Sequence, residues 1–164
     1  MPNSDSELVR IDRIDRQILE QLQKDGGLTN QQLAERVGLS PSPCSRRVKA
    51  LEEAGIILGR KTLLERRKLG LSLTVILQIG MDRHTPERFQ EFEAQVATYP
   101  EVQELYLITG QQADYILKVV VPDMEHYQQF LLNKVTRITG VSGVHSSFVM
   151  RRVIDNTELP LKYL

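Results

Sequence analysis

The chain has 164 residues with 21 basic and 21 acidic side chains, a length that suits one domain or two small ones. One cysteine excludes an internal disulfide, and no apolar run approaches membrane-spanning length or follows a basic N-terminal start, so a soluble cytoplasmic protein is expected. The charge is uneven: 9 Lys+Arg against 3 Asp+Glu lie between Arg36 and Lys68, whereas the part from Leu69 onward is weakly acidic, with 8 against 11.

Met1 to Glu7 is polar and expected to be mobile. Asp12 is a good N-cap, and Asp15 adds negative charge to the first turn of a helix whose apolar stripe is Ile14, Ile18, Leu19 and Leu22. That helix should end near Lys24, before Gly26-Gly27. Thr29 and Gln32 have the form of a capping box, so a second helix should start at Asn30, bury Leu33, Ala34 and Val37, and stop at Gly38. Ser40 can cap a third helix that has Pro41 at its first position. Cys44, Val48 and Leu51 share its buried face, Arg46, Arg47 and Lys49 point elsewhere, and Gly55 ends it.

Three helices with this turn read as a helix-turn-helix that binds double-stranded DNA. A helix fits the major groove with its N-terminal residues at base edges. Ser40, Ser42, Pro43 and Ser45 lie at that end. Arg46, Arg47 and Lys49 can hold phosphates. The plain alternative is a helical hairpin with a solvated basic face. Cys44 reads as a small core hydrophobe rather than a thiol switch. Ile56 to Leu58 reads as a short strand leaving the unit. Gly59 to Gly70 is a basic linker, either a solvated connector or a contact with the DNA backbone.

After Gly70 the pattern changes. Leu73 to Gly80 alternates as a strand. A helix starts at Thr85-Pro86, buries Phe89, Phe92 and Val96, and ends at Tyr99-Pro100. Strands follow at Val102 to Thr109 and Tyr115 to Val121. A helix opened by Pro122-Asp123 aligns Tyr127, Leu131, Val135 and Ile138, and a last strand runs from Val144 to Ile154. The order is βαββαβ, so the expected fold class is α+β: a winged-helix-like three-helix domain, then a ferredoxin-like antiparallel sheet with both helices on one face. The other sheet face should carry a partner subunit. The domains expected are 8–58 for DNA binding, 59–70 as linker and 71–164 for effector binding and oligomerisation.

This arrangement resembles the leucine-responsive regulatory protein/asparagine regulator (Lrp/AsnC) family of bacterial transcription factors over nearly the whole chain. The resemblance is carried by Asp12-Arg13-Ile14-Asp15 with Ile18-Leu19, by Leu39-Ser40-Pro41-Ser42-Pro43-Cys44 with Arg46-Arg47-Val48, and by Leu51-Glu52 and Gly55-Ile56. Thr109-Gly110, Asp114-Tyr115 and Val121-Pro122-Asp123-Met124 extend it. It implies dimers joined through the C-terminal domains, often built into octamers, and small effectors, commonly amino acids, bound between dimers. The family usually reads Gly-x-x-Asp-Tyr before the third strand. Here Gly110 to Tyr115 is one residue longer, which could change the effector or remove the response.

An amino-acid effector needs donors for its carboxylate and an acceptor for its ammonium. Gly110 permits a concave backbone that offers N–H groups, and Asp114 can face the ammonium or simply cap its own turn. By resemblance Leu107, Met124, Ser146, Ser147 and Val149 lie near the same site, and Leu107 with Met124 would suit a leucine- or methionine-like side chain. No catalytic constellation or phosphate-binding glycine loop appears. His84, His126 and His145 lack metal-ligand spacing, so no enzyme, metal or cofactor is expected. The competing class is a ligand-binding or small enzyme domain whose N-terminal helices only mediate assembly.

Overall fold

A computed structural model describes residues 10–110 and 113–164. Met1 to Glu7 lies outside the described residues. The chain forms two compact units. One runs to Leu63 and is completed by Ile154–Leu164; the other is Leu64–Val153.

The first unit holds helices α1 (Arg13–Lys24), α2 (Asn30–Val37) and α3 (Pro41–Glu53). Local chemistry starts and stops each one. Asp12 and Asp15 form a reciprocal capping box on α1, and Thr29 and Gln32 form one on α2. Gly38 takes φ 70°, a left-handed backbone that costs glycine little, and the Leu39 N–H reaches back to the Ala34 carbonyl. Ser40 precedes α3 in extended backbone as expected, but its side chain makes no capping hydrogen bond. Ile18, Leu19, Leu28, Leu33, Ala34, Val37, Cys44 and Leu51 are the buried core. Burial in that core raises the Cys44 thiol pKa, in keeping with a packing role.

Two expectations fail here for identifiable reasons. Ile56 to Leu58 is not a strand: the N–H groups of Ile56 and Ile57 both return to the Leu51 carbonyl, and their side chains fold onto the core while Leu58 stands exposed. Residues 154–164, expected with the sheet, group with the helices instead. The Gln23 side-chain amide accepts from the Leu159 N–H at 2.6 Å and donates to the Leu159 carbonyl at 3.2 Å, and Leu161 packs on the helical core. Arg16 bonds the Leu164 carbonyl.

The second unit contains β1 (Leu73–Met81), α4 (Pro86–Val96), β2 (Val102–Leu107), β3 (Tyr115–Val121), α5 (Met124–Asn133) and β4 (Val141–Phe148). The sheet is antiparallel in the order β2-β3-β1-β4, which is the ferredoxin-like arrangement. Strand alternation puts Val75, Leu77, Ile79, Tyr115, Leu117 and Val119 into one core with Phe92 and Val96 of α4 and Tyr127 and Phe130 of α5. Phe92 lies 4.7 Å from the Tyr115 ring, whose hydroxyl donates to Glu93 at 2.7 Å. The α5 helix stops at Asn133, so Val135 and Ile138 are buried from a 3-10 turn and the residue after it. β4 begins at Val141 rather than Val144 and ends at Phe148, its register with β1 running from Met81 to Val75.

Candidate DNA-reading helix and effector site

On α3, helical spacing separates the candidate DNA-contacting residues into two sets. Ser42, Ser45, Arg46 and Lys49 fall at intervals of three, one and three, and all are exposed. They form one solvent-facing stripe that begins at the helix N-terminus. Pro41 and Pro43 lack N–H groups, so among the first three positions only Ser42 can offer a backbone donor to an anion there. Asn30, which the sequence reading passed over, donates its side-chain amide to the Pro41 carbonyl at 2.8 Å and ties the start of α2 to the start of α3.

Pro43 and Arg47 belong to the other set. Arg47 leaves the stripe and turns to α1, where its Nη1 lies 2.7 Å from an oxygen of Asp12 and 2.7 Å from an oxygen of Asp15. Those contacts hold the guanidinium in its charged form, with Asp15 the larger influence and Asp12 the next. Asp12 is held ionised first by the Asp15 N–H and then by Arg47. Lys49 makes only a loose pair with Glu53, at 3.6 Å.

In the sheet unit the candidate effector residues fall at two places. Leu107 pairs with Tyr115, beside Asp114, and Gly110 is close in sequence. Met124 opens α5 just beyond the other end of β3. The Val149 N–H donates to Thr74, which pairs with Val120 near that same end. From Asp114 to Val120 the strand advances six residues, about 20 Å at strand rise. Ser146 pairs with Leu77 and Ser147 with Ile76, so the two serines face opposite sides of the sheet. Ser146 is on the helix side and bonds the Tyr127 hydroxyl. Within one chain, then, the Leu107–Asp114 group and the Met124–Val149 group are held apart. Leu107 and Met124 are each about half exposed, at 55% and 53%.

Asp114 is bound on every side. Its N–H donates to Ile79 and its carbonyl accepts from Ile108, both at 2.8 Å. One carboxylate oxygen accepts the Met81 N–H at 2.7 Å, where a register shift at Gly80/Met81 breaks the ladder to β4. The other oxygen lies 2.8 Å from His84 Nε2. Gly110 does not take a positive φ, so it does not use glycine's special freedom in that way. Gln111 and Gln112 in the lengthened turn lie outside the described residues. A shallow cavity of about 350 Å³, lined by Glu101, Val121, Pro122, His126, Phe130 and Lys134 among others, includes none of the candidate residues.

On the sheet face away from the helices, Lys118 and Glu104 pair at 2.7 Å and the Tyr106 hydroxyl donates to Glu104 at 2.9 Å. Lys118 is the main reason the Glu104 carboxyl sits below its ordinary pKa. Ile76, Ile116 and Val120 are half-buried on that face. No helix among the described residues is long and apolar enough to cross a membrane.

Comparison with known proteins finds a family match for each half of the chain. Residues 11–57 match a winged helix-turn-helix DNA-binding family, and residues 74–159 match the Lrp/AsnC ligand binding domain. The leucine-responsive regulatory protein of Salmonella typhimurium is 43% identical over 93% of this chain and 92% of its own length; that of Escherichia coli is 42% identical with the same coverage. A transcriptional regulator from Neisseria meningitidis, solved as a complex with L-Met, superposes with a TM-score of 0.89 at 38% identity, covering 94% of this chain and 99% of that one. An AsnC family transcriptional regulator from Agrobacterium tumefaciens gives 0.88 at 40% identity, with 93% and 99% covered. The chain belongs to the Lrp/AsnC family of transcriptional regulators: it is a DNA-binding protein with an effector-binding domain, not an enzyme.

Proposed function

We propose that this regulator reads duplex DNA with the Ser42, Ser45, Arg46 and Lys49 stripe and is controlled by an amino acid with an apolar side chain, L-methionine or L-leucine. The effector site is assembled between protomers, with the Leu107–Asp114 end of one sheet meeting the Met124–Val149 end of another. The observation that carries this reading is the split of the effector residues into two groups about 20 Å apart, each exposing a large apolar side chain. One small amino acid cannot span that distance, but two protomers can bring the groups together. The L-Met complex of the Neisseria meningitidis regulator supports the choice of ligand. The apolar positions Ile76, Ile116 and Val120 on the open sheet face support a dimer formed there, with the effector acting on higher assembly of dimers.

The test is calorimetry with L-methionine and L-leucine, run beside sedimentation of the same samples. Saturable binding that shifts the assembly state, and that is weakened by either Leu107→Ala or Met124→Ala, is expected. Binding by a form that stays monomeric throughout would overturn the shared site. No binding of either amino acid would overturn the choice of effector.

A further inference from the structure

Arg46 and Arg47 are neighbours on a basic helix, yet their surroundings differ in kind. Arg46 is exposed on the stripe. Arg47 is held by two carboxylates of another helix, 35 and 32 positions away in sequence. Those carboxylates are themselves fixed. One oxygen of Asp12 accepts the Asp15 N–H at 2.8 Å, and one oxygen of Asp15 accepts the Asp12 N–H at 3.2 Å. The remaining oxygen of each takes Arg47. The capping box of α1 and the guanidinium of α3 therefore close into one network, with Asp15 only 15% exposed.

An isolated surface ion pair contributes little, because two long side chains must be ordered to make it. Here the two carboxylates are already ordered by the capping box, so Arg47 alone has conformational freedom to lose. The local charge also argues against a phosphate contact. The Arg47, Asp12 and Asp15 trio carries a formal charge of −1, so Arg47 is not a free positive charge for a phosphate.

We propose that Arg47 is a positioning residue for DNA recognition. It fixes α3 against the N-terminus of α1 so that the Ser42–Lys49 stripe enters the groove in register, and it does not itself touch DNA. This rests on α3 being the reading helix.

The full-length protein is tested against a duplex selected by the wild type from a random pool, and against random-sequence duplex, over a range of salt. Arg47→Ala is expected to lose about tenfold in affinity for the selected duplex, the size of a typical coupled network. It should lose much less on random duplex and keep the wild-type salt slope. Arg47→Lys should recover part of the loss. The Asp12→Asn/Asp15→Asn double variant is the sharper arm. It removes two negative charges and keeps a capping residue at position 12. If Arg47 only positions, this variant also binds the selected duplex more weakly. Unchanged or tighter binding by it overturns the proposal, as does a salt slope that falls by about one in Arg47→Ala, the signature of a lost phosphate contact. Circular dichroism establishes folding for each protein, and the double variant carries the test should Arg47→Ala fail to fold. Arg46→Ala reports separately on the underlying reading: unchanged affinity and slope there would remove α3 from the groove.

Discussion

On α3 the residues that would touch DNA stand in water, and the helix is held by others: Cys44 and Leu51 in the core, and Arg47 on α1. At the end of the sheet the division is absent. Asp114, the residue proposed to face an effector's ammonium, bonds Met81 and His84 through its side chain and Ile79 and Ile108 through its backbone. A helix of 3.6 residues per turn sorts its positions into an inward stripe and an outward stripe, so recognition can change without disturbing the fold. A strand end has no spare face of that kind. Its polar groups must be paired where the ladder stops, and a carboxylate placed there serves the fold whether or not it also serves a ligand.

The comparison requires that each unit keep its own core, and the most forceful way to break it is to empty one. Phe92→Ala removes a fully buried ring packed at a tilt against Tyr115 and should cost about 3–5 kcal/mol. Amide hydrogen exchange is expected to speed up through β1 and β3 while α1 to α3 keep their protection. Loss of protection in the helices to the same degree would mean that the cores are not separate.

A smaller effect is expected from Asp114→Ala, which leaves the Met81 N–H without its acceptor at the register shift. The cost should be about 1–3 kcal/mol, measured by denaturant unfolding of the ligand-free protein. A change within about 0.5 kcal/mol, the usual range for an unengaged surface position, would free Asp114 for a purely ligand-binding role and erase the contrast with α3.

The smallest effect concerns pH. Asp12 has its pKa lowered in the folded state, by the Asp15 N–H first and Arg47 second. A carboxylate with a depressed folded pKa adds stability that is present above its unfolded pKa and lost as pH falls through the folded value. The wild-type helical unit should therefore lose stability on acidification below the ordinary carboxylate range. Asp12→Asn should flatten that part of the profile, followed by thermal melting at a series of pH values. An unchanged acid limb would remove Asp12 from the network.

Local rules account for what was legible in the sequence. The caps at Asp12 and Thr29, the helix starts at Thr85-Pro86 and Pro122-Asp123, and the turn at Gly38 each depend on residues within four positions and formed as read, whereas Ser40 precedes its helix without a capping hydrogen bond. The order βαββαβ also led to the observed sheet, since antiparallel neighbours with short connections leave few topologies. Misplaced elements were those whose limits are set by a distant partner. The last strand was expected from Val144, yet β4 starts at Val141 and sets Gly143 opposite Gly80, because pairing with β1 governs where that strand runs. Ile56 and Ile57 have strand-like side chains, yet the free carbonyl of Leu51 captures their N–H groups first.

By itself the sequence determined the fold class, the helix-turn-helix and the family, because periodicity, capping and motif spacing are properties of neighbouring residues. Tertiary structure alone decided that Arg46 and Arg47 part company, that Asp114 closes the sheet end, and that Gln23 holds a segment from the far end of the chain. Each of these depends on a polar group meeting its partner across 30 or more positions. Composition offers several candidate partners for such a group, and only packing brings one of them within hydrogen-bond reach.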